Sequence, residues 1–308
     1  MKKSFFIIII FILLFGCAKY EYEGTWMDSA NVKDASLNNS LSLVSNRPIE
    51  DPLMLEIPVI ICAHGYSAST YEWEEFTDYA EGTGNVLVSN VLLGGHGRSV
   101  EEFKETTWED WQQPIIDEYK ALSELGYKNI NLAGSSGGGA LILEILLSNK
   151  LAELTVPNNI FLIDPYVIPV DTSIGFVGLI GIFVKNFPND DLSEKEKEHW
   201  YYNRPVETII ELNELISAVK SEIENGYELP QNTWLTTYKI INDVASDPEC
   251  IILFADGITA TGTGKIEAHL YDSDNHVFTR GNLRDVWTDF DKTLQMQTFN
   301  DIVVKSMH

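Results

Sequence analysis

The chain has 308 residues, of which 44% are hydrophobic and 11% aromatic, enough to build one large core or a domain carrying an insertion. Its 46 acidic and 21 basic residues leave a formal net charge of -25. That charge argues against nucleic acid as a partner, sets the body of the protein against a bare anionic membrane surface, and favours a neutral substrate over a polyanionic one.

At the N-terminus, Lys2 and Lys3 precede an apolar run from Phe5 to Phe15. The run is too short for a transmembrane helix and suits the core of a signal peptide. It ends in Leu14-Phe15-Gly16-Cys17. A Gly-Cys pair directly after the apolar core resembles a bacterial lipobox, which implies cleavage before Cys17, lipid on its thiol, and a lipoprotein held at a membrane of the bacterial cell envelope. Residues 1–17 are therefore expected as signal peptide. Residues 18–50, rich in Ser, Asn and Asp and without periodicity, are expected as a flexible tether, and 51–308 as the folded domain. Cys62 and Cys250 both lie in apolar runs, which predicts buried free thiols.

From Leu53 onward, apolar runs alternate with amphipathic helical patterns, the signature of a mostly parallel sheet with helices on both faces. Strands are predicted over Pro58–Ala63 and Asn85–Leu92, with a helix from about Thr70 to Glu81 between them. The segment Glu101 to Leu125 carries Trp108 and Trp111, three apart and so on one helix face. Next comes the stretch Lys128 to Ser148, read as a strand over Ile130–Ala133, a Gly/Ser turn, and a buried helix from about Gly138. The turn holds Gly134-Ser135-Ser136-Gly137-Gly138, which fits the nucleophile pattern G-x-S-x-G. Such a reversal leaves no room for Cβ atoms beside the serine, hence the glycines, and it stands Ser136 at a helix N-terminus whose free amides favour negative charge.

Several motifs follow one another in order. They are His64-Gly65-Tyr66 after the first strand, Gly95-His96-Gly97 after the second, Trp108-x-x-Trp111, and the Ser136 elbow. Together they resemble the bacterial carboxylesterase and monoacylglycerol-lipase branch of the α/β-hydrolases. The resemblance covers most of the chain after about residue 53 and implies a cofactor-free serine esterase with no metal and a small lid. Ser136 would be its nucleophile, and the backbone N–H groups of Tyr66 and Gly137 its oxyanion hole. The insertion at about 166–204, apolar with glycines and then sharply charged, would form the lid; an alternative is that this segment touches the bilayer. His276, right after the predicted strand Lys265–Tyr271, stands where the family places its catalytic histidine. Ser135 departs from the larger apolar residue usual before the nucleophile.

The acid has several candidates, since Asp164, Asp243, Asp247 and Asp256 all follow apolar runs. Were Ile251–Phe254 the penultimate strand, Asp256 would be the acid, but residues 257–264 are too few for a parallel crossover. Taking Thr233–Ile241 as that strand puts Asp243 at its C-terminal end and leaves room for a helix through Ile258. Asp243 is the choice, with Asp164 the runner-up. The last helix is expected from Leu283 to Val304. The function so implied is hydrolysis of small neutral carboxyl esters, short-chain esters or monoacylglycerols, through an acyl-enzyme. The alternatives are a non-catalytic surface binding lipoprotein on the same fold, and a serine hydrolase of amide or peptide bonds or an acyltransferase.

Overall fold

The computed structural model describes Met27 and residues 42–172, 175, 184–190 and 192–308. Cys17, the apolar run before it and part of the expected lid lie outside the described residues.

Strand β1 (Val59–Ala63) is buried throughout, and its side chains divide by parity. Val59, Ile61 and Ala63 join the core on one face of the sheet, and Ile60 and Cys62 the core on the other, as the two-residue period of a strand requires. A strand buried on both faces belongs inside a parallel sheet. β1 pairs in parallel with β2 (Leu87–Val91) and β3 (Ile130–Ser135). Beyond β3 lie β4 (Asn159–Ile163), β8 (Trp234–Ile240) and the edge strand β10 (Lys265–Tyr271), giving the order β10-β8-β4-β3-β1-β2.

On one face pack α3 (Trp108–Leu125), α4 (Ser136–Leu147), α5 (Val206–Glu224) and α6 (Cys250–Gly257), preceded in the chain by the short α2 (Val100–Lys104). On the other face pack α1 (Glu74–Gly82) and α7 (Asp289–Ser306). Between β4 and α5 the strands β5 (Asn186–Pro188) and β6 (Asn203–Pro205) form an antiparallel pair. The two-residue strands β7 (Tyr227–Glu228) and β9 (Ile258–Thr259) pair apart from the main sheet. From β1 the chain first builds outward to β2 and then returns to place β3 on the other side of β1. The C-terminal ends of β1 and β3 therefore flank the crevice where ligands bind in such sheets.

Several boundaries differ from expectation for local reasons. The elbow helix starts at Ser136 rather than at Gly138. The 101–125 segment is two helices, because Thr107 and Asp110 form a capping box that starts α3 afresh. The same device, Thr288 with Asp291, delays the final helix to Asp289. Ile251–Phe254 is helical, within α6. The segment expected as a tether is docked at its C-terminal end: Val44 is buried, its N–H donates to Ser89 Oγ at 3.0 Å, and Met27 is also in the core. Single apolar residues in a polar stretch carry no periodicity, so this docking is silent in the sequence. Cys62 and Cys250 are buried free thiols.

Helix α4 lies hard against β1. A Cβ placed on Gly138 would come within 2.3 Å of the Ala63 carbonyl oxygen and 2.5 Å of that of His64. Gly138→Ala is therefore expected to destabilise the fold by about 1–3 kcal/mol or more through overpacking, read as a lowered urea midpoint at unchanged m; wild-type stability would refute the tight approach.

Candidate active site

Ser136 is the first residue of α4 and has φ of +47°, a left-handed conformation that costs a non-glycine residue energy and persists only where its surroundings enforce it. The enforcing contacts are backbone ones. Gly134 and Gly138 meet in the turn, and a Cβ on Gly65 would stand 3.2 Å from Ser136 Cβ. The turn thus lifts Ser136 Oγ clear of the sheet.

His276 meets it there. Its Nε2 is 3.0 Å from Ser136 Oγ, and its Nδ1 is 2.8 Å from Asp243 Oδ2. The structure thus brings Ser136, His276 and Asp243 into one hydrogen-bonded chain, although 140 and 33 positions separate the partners in sequence. An ionised carboxylate only accepts, so Asp243 selects the Nδ1–H tautomer and leaves Nε2 free to take a proton. The other oxygen, Asp243 Oδ1, accepts from the N–H groups of Ala245 and Ser246 at 2.8 and 3.1 Å. Burial pushes the Asp243 carboxyl up, but His276 and Lys239 outweigh it and hold the group well below the usual carboxylate range.

The other three acid candidates are placed elsewhere; Asp247 Oδ1 accepts from Glu249 N at 2.8 Å. Asp256 is exposed on α6. Asp164, fully buried after β4, points toward the same corner without taking the histidine. Its Oδ1 accepts from Ile240 N at 2.9 Å, and its Oδ2 accepts from Val277 N at 2.9 Å. Burial raises its carboxyl, against the pull of Lys239 and His276. Its bond to Val277 explains a rarity: Val277 is β-branched yet has φ of +54°. The Asp164 bond holds the turn that aims His276 back at the serine.

Opposite His276, the Tyr66 amide has no acceptor among the described residues, and a Cβ on Gly137 would lie 2.9 Å from it. The Gly137 amide belongs to the first turn of α4, where no intrahelical acceptor exists. The two N–H groups named from the sequence thus stand beside each other next to Ser136. Two buried histidines brace this loop. His64 Nε2 accepts from Leu93 N at 3.1 Å and its Nδ1 lies 2.9 Å from Gly65 O; His96 Nε2 accepts from Ser67 N at 3.2 Å and its Nδ1 lies 3.1 Å from Gly94 O. Burial lowers the imidazole of His64 to about 4 and that of His96 well below its ordinary value, so both serve as neutral struts.

Sequence reasoning missed the polar layer beneath. Buried Glu72 accepts from Gly65 N at 2.7 Å, from Ser135 Oγ, and from Arg280 Nη1 at 2.5 Å. Ser135 also accepts from Trp73 Nε1 at 3.1 Å, so a small hydroxyl fills the place where the resemblance leads one to expect a larger apolar side chain. Arg280 Nε approaches Glu196 at 2.9 Å, and its guanidinium lies over the Trp200 ring. Lys239 was missed as well, though a lysine amid the apolar and β-branched residues of Thr233–Ile241 was a visible signal.

The site opens into a cavity of about 490 Å³, within the range of small-molecule pockets. Phe187, Leu192, Trp200, Ile209 and Leu212 supply apolar walls, and Arg204, Arg280 and Arg284 stand among them. Residues of the expected lid insertion thus line the same cavity as Ser136.

Comparison with known proteins agrees with this architecture. A family model described as steryl acetyl hydrolase matches residues 100–176. Among solved structures, one of the metagenome-derived lipolytic enzymes LipS and LipT is 19% identical, with a TM-score of 0.64 over 81% of this chain and 94% of the other. The monoacylglycerol lipase of Paleococcus ferrophilus is 14% identical, with a TM-score of 0.60 over 81% and 96%. A soluble variant of the Saccharomyces cerevisiae monoglyceride lipase is 13% identical, with a TM-score of 0.59 over 82% and 86%. The chain has the α/β-hydrolase fold.

If Asp243 orients His276, Asp243→Asn should favour the wrong tautomer and cut kcat for ester hydrolysis by roughly 10² to 10⁴ with the fold intact. Asp256→Asn should leave kcat close to wild type. A collapse in Asp256→Asn beside an active Asp243→Asn would overturn the placement.

Proposed function

We propose that the chain is a serine esterase acting on small neutral carboxyl esters, short-chain esters or monoacylglycerols, through an acyl-enzyme on Ser136. The observation that carries this reading is the chain from Asp243 through His276 to Ser136, at 2.8 and 3.0 Å, opening on a half-apolar cavity. His276 Nε2 takes the hydroxyl proton as Ser136 Oγ attacks the ester carbonyl, and the imidazolium so formed is stabilised by Asp243. The amides of Tyr66 and Gly137 receive the negative oxygen of the tetrahedral intermediate. His276 then gives its proton to the departing alkoxide, freeing the alcohol and leaving the acyl group on Ser136. Water, deprotonated by the same nitrogen, attacks the acyl carbonyl and releases the acid. The acetyl and acylglycerol esters named for the matching family and for two of the similar structures lie within this substrate class.

Turnover of p-nitrophenyl esters of graded acyl length tests the reading. Ser136→Ala should lower kcat on the order of 10³ to 10⁶ without unfolding, and Ser135→Ala far less. If the folded wild type neither turns over any ester nor labels with a serine-directed fluorophosphonate, the fold serves binding instead.

The place of action is proposed from the sequence: a membrane of the bacterial cell envelope, reached through lipid on Cys17. Mature protein should begin at a lipid-modified Cys17 and partition into detergent, and Cys17→Ser should abolish both. An unmodified Cys17, found by mass spectrometry of the purified protein, would remove the anchor and leave the esterase reading standing.

A further inference from the structure

Lys239 belongs to β8 and is fully buried. Its ammonium contacts two carboxylates, Asp164 Oδ1 at 3.2 Å and Asp243 Oδ2, both of them also buried. The second of these oxygens is the one that faces His276 Nδ1 at 2.8 Å. Ligand atoms of Asp164, Asp243 and His276 lie within 4.8 Å of one another, as they would around a metal ion; here the lysine ammonium bridges the two carboxylates.

Burying an ammonium is expensive, and an apolar residue would fill a strand position at lower cost. What the ammonium does is electrical. Two carboxylates sharing a dry site do not both stay ionised unless a cation lies between them, because each raises the affinity of the other for a proton. We propose that Lys239 is a positioning residue of the triad, keeping Asp164 and Asp243 ionised side by side so that the pair and the lysine together present one net negative charge to His276. That single charge is matched when His276 accepts the serine proton. The same ammonium fixes the carboxylate plane of Asp243, and Asp164, kept ionised, holds the Val277 turn that aims the imidazole.

The groups facing this cluster come from every element around it. Asp164 and Tyr166 follow β4, Asp243 follows β8, Cys250 opens α6, and His276 and Arg284 follow β10. Burial pushes the Cys250 thiol and the Tyr166 phenol up to about 12, so both stay neutral near pH 7. Burial and then Arg280 lower the Arg284 guanidinium to about 10, which leaves it cationic. None of these three groups changes its charge near pH 7.

The proposal rests on the esterase reading for its kinetic consequence only, so the test has two readouts: the pH profile of kcat/KM on p-nitrophenyl acetate, and NMR titration of the His276 imidazole in the full chain in detergent, assigned with His276→Gln. In Lys239→Met the carboxylates either stay ionised, so that His276 faces two negative charges and the acid limb and the imidazole titration move to higher pH by about one unit or more, or they take up a shared proton whose titration adds a second inflection to both readouts. kcat falls more than KM rises. Asp164→Asn removes one negative charge and shifts both readouts to lower pH, and the double variant returns them close to wild type. A merely structural lysine would lower stability or activity and move neither titration. Unmoved titrations in both single variants overturn the proposal. Should Lys239→Met fail to fold, Asp164→Asn decides alone: a downward shift supports the proposal and any other result overturns it. A wild type with no ester turnover would sink the esterase reading, while the imidazole titration would still decide the role of Lys239.

Discussion

The contact between the backbone of α4 and the backbone of β1 is the constraint on which the site depends. Gly138 sits where any side chain would strike the Ala63 and His64 carbonyls, so helix and strand approach to a distance that only glycine allows. That approach puts the N-terminus of α4 beside the loop after β1, and so brings the Gly137 and Tyr66 amides together. It also forces the sharp reversal in which Ser136 takes a left-handed backbone. The paired amides and the raised serine are two results of one packing event.

Beneath that event lies a polar core held together by charge. Glu72 ties the loop after β1, through Gly65, to the residue before Ser136, through Ser135, and to Arg280 beyond β10. Arg280 and Arg284 reach in turn to Glu196 in a segment that lines the cavity, and Ser193 Oγ in the same segment donates to Leu283 O at 2.5 Å. Networks of buried charge are tolerable when each member has a partner, and removing one member strands the rest. Four pieces of chain far apart in sequence are therefore tied to one another around the serine by ion pairs and hydrogen bonds.

The sheet, its helices and the order of the chemical residues were legible in the sequence, because strands buried on both faces read as apolar runs and the Ser136 turn has fixed glycine requirements. The placement of Asp243 was legible too, through the number of residues a parallel crossover needs. The helix starts were less so: Thr107 and Thr288 look like any loop threonines until their side chains are seen to cap α3 and α7. Least legible was what lies behind Ser136, His276 and Asp243. Glu72, Lys239 and Arg280 form no local pattern, since their partners are as many as 208 positions away, and only the closed sheet brings them together. The docking of Val44 was hidden for the opposite reason, being a single apolar side chain in a polar stretch.

The uneven charge of the molecule has a consequence for its product. Three of the five arginines in the chain, Arg204, Arg280 and Arg284, line the cavity, while the whole carries a net charge of -25. On the proposed reading, a neutral ester would enter without feeling that excess. The acid left by its hydrolysis is an anion at neutral pH. Inside the cavity the guanidinium groups offset the negative charge around it. Once past them it meets a surface that repels it over about 10 Å at 0.1 M salt. If the site hydrolyses esters as proposed, a released acid would thus meet a field that slows its return from bulk solvent, an effect that high salt would weaken.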